Sequence, residues 1–419
     1  MEKQLLEERK KIQTELRDLR QLGVLVKISL PEGLVADGTK MDNPTIRVEQ
    51  FRSSVTVPLL PHIFFNESST VIPARYRRIT AAERATYSTV RLATAQPVEV
   101  YRHILNIIGK RLQERPNARL TLKGFNPTSG VESTVKKLGL QRAEAVSDYF
   151  QDVWKIAGSR INVTTQDIAP PANADAETEA RRVDISSDDP AIMQALTLES
   201  VYQSVLPQAL RFSLDINAGA GLKQWGLEVS QFQGNEIVSL FNIEGTNEYP
   251  KEYVWRIDEH PNSVPTVSGT IETEVEVTDV NNRNADTPIQ TTPVEVVMLA
   301  DKVSKKTPDT RVDIVTAVVP LGKTLAESET LLGLKSTLAP GSTILAEGWA
   351  DGANEQSLNT NAADALAREA AQILGANATT VSSKKRVEWM KPLHNDGGSP
   401  EGRLYNRAVR LEVRTPIRY

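Results

Sequence analysis

The chain has 419 residues, too many for a single core at roughly 100–200 residues per domain. Its 40% hydrophobic and 24% charged content is that of folded domains, and a net charge of −4 gives no electrostatic footprint for a polyanion, so nucleic acid is not an expected partner. With no cysteine, disulfides, thiolate metal sites and cysteine nucleophiles are excluded, and no window approaches the roughly 20 apolar residues of a membrane-spanning helix.

Over residues 1–22, Leu5, Ile12, Leu16 and Leu19 recur at heptad-like spacing among Glu, Lys and Arg, which predicts an amphipathic helix. Charges interrupt it throughout, so it is not the apolar core of a secretion signal. At under four heptads it fits a helix docked on its own protein better than a coiled-coil dimer, although a homo-oligomer stays open. Residues 24–66 turn to β-branched alternation in VLVKISL, IRVEQF and SVTVPLLPHIFF. From Tyr101 the period lengthens: Ile104, Leu105, Ile108 and Leu112 share a helical face that ends near Pro116. The strand ARLTLKG follows, then a helix over 132–152 with Val135, Leu138, Ala143, Val146 and Tyr149 inward, then the strands RINVTT and RRVDI. Such alternation predicts an α/β sandwich with helices on one face of a sheet.

Over 196–300 the alternation of helix and strand is lost. Phe212, Leu214 and Ile216, then Leu227 and Val229, then Val254–Ile257, then Ile271–Val277 mark period-2 strands between Gly, Asn and Pro clusters, the pattern of a β-sandwich. The Glu residues alternating within 271–277 predict one wet face. After Pro308 the α/β rhythm returns, with RVDIVTAVV, a helix near 323–335, the strand STILAEG, a helix over 358–374 and RAVRLEV.

Three groups of residues carry a resemblance. The last α/β segment has Gly348-Trp-Ala-Asp351 after a strand, Asn359 in the following stretch, and Gly402-Arg403-Leu-Tyr-Asn406-Arg407-Ala-Val409 near its end. The first has Gly124-Phe-Asn-Pro127-Thr-Ser-Gly130, Leu138-Gly-Leu-Gln-Arg142-Ala143 and Arg181-Arg182-Val183-Asp184-Ile185. Both resemble the OmpA C-terminal family of peptidoglycan-associated proteins, over roughly half the chain. The segment containing LKQWGLEV, Tyr249–Asp258 and VSGTIETEVEVTD is similar to immunoglobulin-like structural modules.

The resemblance implies a clamp on a peptidoglycan stem peptide, in which a loop Asp accepts from an ammonium and a helix Arg grips a carboxylate with its planar fork. Position by position, the first segment keeps Arg142 but has Pro127 at the Asp position, whereas the second keeps Asp351 but has Leu366 at the Arg position. Arg368 lies two residues on, about 200° round the helix, and is not expected to substitute.

Other motifs have plainer explanations. Ala317–Thr324 fits a relaxed P-loop, the sole basis for an enzymatic reading, but Pro320 lacks the N–H that a phosphate cradle needs. His62, His103, His260 and His394 stand in no metal or triad spacing. Asp279, Asn281, Asn282 and Asp286 read as a turn and not a calcium loop, and Asp188-Asp189 before Pro190 as a solvated turn.

The expected architecture is an α+β multidomain protein: an N-terminal amphipathic helix (1–22), a β segment plus a degenerate OmpA-like α/β sandwich (23–190), an all-β immunoglobulin-like domain (196–305) and a second OmpA-like domain (308–419). The resemblance implies a non-enzymatic structural or scaffold protein of the bacterial cell envelope, in the periplasm or at the outer membrane. The alternative is a peptidoglycan-binding anchor using the C-terminal domain. Candidate ligand residues are Asp351, Asn359, Asn406, Arg407 and Arg142. No catalytic residue, cofactor or metal is expected, and the implied partners are cell-envelope proteins or peptidoglycan.

Overall fold

The structure, a computed structural model, describes residues 11–12, 23–35, 38–93, 95–128, 130–135, 137–168, 173–258, 263–306, 308–349, 360–375, 380–383 and 398–417. The expected N-terminal helix lies outside these apart from Lys11 and Ile12, which are helical. The chain forms two compact units, each assembled from two separate stretches: Met1–Phe51 with Tyr202–Thr307, and Arg52–Val201 with Pro308–Tyr419.

The first unit is a β-sandwich. In one sheet, Ala209–Ala218 pairs antiparallel with Val24–Ile28, Glu32–Leu34 and Glu252–Arg256, and Lys40–Asp42 pairs with Glu32–Leu34. The other runs from Glu236–Thr246 through Leu222–Gln233 and Gly269–Asp279 to Gln290–Val297, which pairs in parallel with the first residues of Ile46–Val57. Period-2 alternation sets the layering: Ile271, Val275 and Val277 are buried, whereas Glu272, Glu274 and Glu276 point to the other face. Phe212, Leu214 and Trp255 from one sheet and Trp225, Leu227 and Val229 from the other share one core, each worth about 1.5–3 kcal/mol of burial.

The strands of 24–49 therefore belong to the sandwich, and not to the α/β part with which their position in the chain groups them. Val26 stands opposite Ile216 and Ile46 opposite Val294. Alternation marks these segments as strands, but nothing local specifies so distant a partner.

The second unit holds two sheets of like topology. One consists of His62–Phe64, Leu120–Pro127, Ile161–Ile168 and Arg182–Ser187, with helices Ile104–Glu114, Leu138–Asp152 and Ala174–Ala180 in the connections. The other contains Asp309–Val318, Thr343–Trp349, Thr380–Ser383 and Ala408–Ile417, with helices Glu329–Thr337, Thr360–Leu374 and Pro400–Tyr405 in the corresponding connections, and Val55 and Thr56 pair in parallel with Ile314 and Val315 beyond its first strand. In both, the spatial order is first, fourth, second, third strand. The second and third are parallel through a helical crossover, and the fourth is antiparallel to its neighbours.

Two expected helices begin later than their spacing predicts. Residues 131–134 form a 3-10 turn, and the helix starts at Leu138 after Lys137 in the left-handed region, which leaves Val135 exposed. The helix expected from 323 begins at Glu329, because Thr324 and Glu327 close a capping box on a separate 3-10 turn, Leu325–Glu327. Among the described residues no helix is long and apolar enough to cross a membrane.

Candidate functional site

The site is built where the second strand of each sheet meets the crossover helix. Gly124 lies so close to the Leu138–Asp152 helix that a Cβ there would stand 1.8 Å from the Gly139 carbonyl oxygen. Gly348 meets the Thr360–Leu374 helix in the same way, its virtual Cβ 2.0 Å from the Ala363 oxygen. The offset that carries Gly124 onto Gly348 also carries Gly139 onto Ala363 and Arg142 onto Leu366. Strand register gives a second equivalence: Val183 stands opposite Gly124 and Val409 opposite Gly348, so Arg181 and Arg407 correspond, each two residues earlier.

Arg142 is fully buried and its fork is filled from within the chain. Its Nη1 donates to Glu132 Oε2 at 2.9 Å and its Nη2 to Glu132 Oε1 at 2.6 Å. Nε donates to the Ser69 carbonyl at 2.9 Å, and Nη2 also reaches the Asn66 carbonyl at 3.1 Å. The Phe65 ring lies under the guanidinium, 5.5 Å from its centre. Glu132, itself buried, also accepts from the Ser68 N–H at 2.6 Å. Arg181 Nε approaches the same carboxylate at 3.8 Å, while its Nη2 donates to Glu67 and Glu177. Pro127 ends the strand, and the neighbouring Asn126 Oδ1 accepts from the Gly139 N–H at 2.7 Å, tying the strand end to the helix start.

In the other sheet, Asp351 and Asn359 lie outside the described residues. Leu366 is half-buried against the core of that sheet, and Arg368 is exposed. Asn406 is buried, with its N–H closing the Pro400–Tyr405 helix on Gly402 and Arg403. Arg407 Nη2 donates to Glu179 Oε1 at 3.4 Å. The whole segment packs on the first sheet's layer. Arg403 Nη2 donates to Thr178 Oγ1 at 2.6 Å, Tyr405 Oη donates to the Pro58 carbonyl at 2.5 Å, and Arg75 pairs with the fully buried Glu401. Of the three expected ligand residues among the described ones, Arg142 sits in one layer's interior, and Asn406 and Arg407 at a junction between layers.

Glu132, Arg75 and Glu401 were not legible as site residues. Glu132 falls where the apolar spacing predicts a helix running on from 132, and an acid in a Ser- and Gly-rich turn ordinarily faces water.

The plainer motifs also find places. Lys323 is exposed, its N–H donating to the Pro320 carbonyl and its ammonium 4.0 Å from Glu327. Asp279 accepts from the Asn281 and Arg283 N–H groups in a turn. Asp188 and Asp189 accept from Arg119 and Ala191 N–H groups. His62 Nδ1 lies 2.5 Å from Asp184, and His103 stacks on Tyr87. His260 and His394 lie outside the described residues. Among the described residues no group of three or more His, Asp or Glu side chains could hold a metal.

No protein-family model matches the sequence, and no curated protein matches it significantly. Partial structural likenesses exist. The chain is similar over 30% of its length to the peptidoglycan-associated lipoprotein from Burkholderia pseudomallei, at 13% identity, 90% coverage of that chain and a TM-score of 0.21. It is similar over 31% to the C-terminal domain of Helicobacter pylori MotB, at 15% identity, 87% coverage of that chain and a TM-score of 0.22. It is similar over 43% to the OmpA-like domain of FopA1 from Francisella tularensis, at 13% identity, 98% coverage of that chain and a TM-score of 0.20.

Proposed function

We propose that this chain is a non-enzymatic scaffold of the bacterial cell envelope, in which two degenerate OmpA-like copies have been turned from ligand binding to internal packing. The observation that carries this is the Glu132 carboxylate in the Arg142 fork, which leaves no free bidentate face for an external carboxylate. The equal topology of the two sheets and their matching Gly contacts support duplication. The closing motif of the second copy supports a packing role, because Arg403, Tyr405 and Arg407 bond to the first layer.

One feature favours a second reading, peptidoglycan anchoring by the C-terminal copy: Asp351 follows Gly348 at the family's spacing. Retention on purified peptidoglycan sacculi separates the two. The wild-type chain is expected to stay in solution. Leu366→Arg, which restores a guanidinium at the helix position where the resembled family carries it, should increase retention, each charge-assisted contact adding about 1.5–3 kcal/mol before ordering costs. Pro127→Asp should give no gain, because Arg142 is already engaged. Strong wild-type retention lost in Asp351→Ala would establish anchoring instead.

A further inference from the structure

Receptor and occupant at Arg142 come from different segments. The guanidinium is positioned by the Asn66 and Ser69 carbonyls and the Phe65 ring. The carboxylate comes from the turn Val131–Thr134, in which Glu132 alone is buried while Val131, Ser133, Thr134 and Val135 are exposed. Arg181 Nε, buried and without a hydrogen-bond partner, is aimed at the same carboxylate, as is the Ser68 N–H. We propose that the Arg142 pocket is a carboxylate-binding site and that Glu132 occupies it as an intramolecular ligand, making residues 130–135 a plug. This deepens the scaffold reading, since it rests on the same filled fork.

The chemistry follows from the charges. With the Glu132 carboxylate gone, two guanidinium groups and a backbone N–H face a small cavity without an anion, and leaving such donors unpaired is more costly than losing the contacts alone. A free carboxylate small enough to enter should therefore bind. Larger carboxylates would bind to the natural chain only by displacing the turn.

The test uses the full-length protein with Glu132→Ala, and thermal unfolding in sodium formate or acetate against sodium chloride of equal ionic strength. Formate is expected to raise the variant's midpoint beyond chloride by on the order of 3 °C. The wild type should not respond. Adding Arg142→Leu to the variant should abolish the shift. No carboxylate-specific shift in folded Glu132→Ala, an equal shift in the wild type, or a shift that survives Arg142→Leu would each overturn the proposal. If Glu132→Ala does not fold in chloride, refolding in formate should recover it, and failure to do so counts against the plug. Sacculus retention by the wild type would sink the scaffold reading without altering the formate response, so the two ideas fail separately.

Discussion

At the scale of single residues, this protein uses buried ion pairs where its sequence invites a search for ligands. Beside the Arg142 pair, His62 and Arg182 both contact the partly buried Asp184, with Arg182 Nε at 2.9 Å. Burial pushes the Asp184 carboxyl up, but the hydrogen bond and charge of His62, with Arg182, outweigh it and hold the group below the usual carboxylate range. A depressed folded-state value means that the stabilisation is present above the unfolded value of about 3.9 and is lost as pH falls through the folded value. Asp184→Asn should therefore cost about 1–2 kcal/mol at neutral pH. The gap between variant and wild type should close on acidification, as read by urea unfolding at stepped pH. A pH-independent difference would show that Asp184 acts through packing alone.

At the scale of elements, the strand-to-helix contact fixes both like sheets. Gly124 and Gly348 each let a helix backbone approach where any side chain would collide. Gly124→Ala and Gly348→Ala should each destabilise the second unit by about 1–3 kcal/mol or more, since the obstacle is backbone and cannot rotate away. Near-wild-type denaturation midpoints for both would show that the sheets can slide from their helices. Both glycines were visible in the sequence as motif positions, and the apolar faces of the helices followed from their spacing. The true start of the Leu138 helix did not, because Val135 has the right period and only the left-handed Lys137 breaks the run. That displaced start makes the turn that delivers Glu132.

At the scale of the whole molecule, each unit is assembled from two stretches of chain. A polypeptide of residues 196–305 alone lacks Val24–Ile28 and Ile46–Val48, and with them the cover of Ile216 and Val294. It should not fold cooperatively, whereas 23–51 joined by a flexible linker to 202–307 should give a sigmoidal thermal transition. Cooperative unfolding of 196–305 by itself would mean that the early strands are dispensable.

The sequence by itself determined the alternation of strand and helix in two segments, the all-β character of the stretch between them and which residues of each element are apolar, but not where the Leu138 and Glu329 helices begin. These depend on side-chain periods of 2 and 3.6, which are local. Tertiary structure alone decided that Val26 pairs with Ile216 and that Arg142 meets Glu132. A strand's partner is chosen by backbone hydrogen bonds to residues distant in the chain. Whether a buried guanidinium grips a ligand or its own chain depends on which carboxylate the fold brings within about 3 Å.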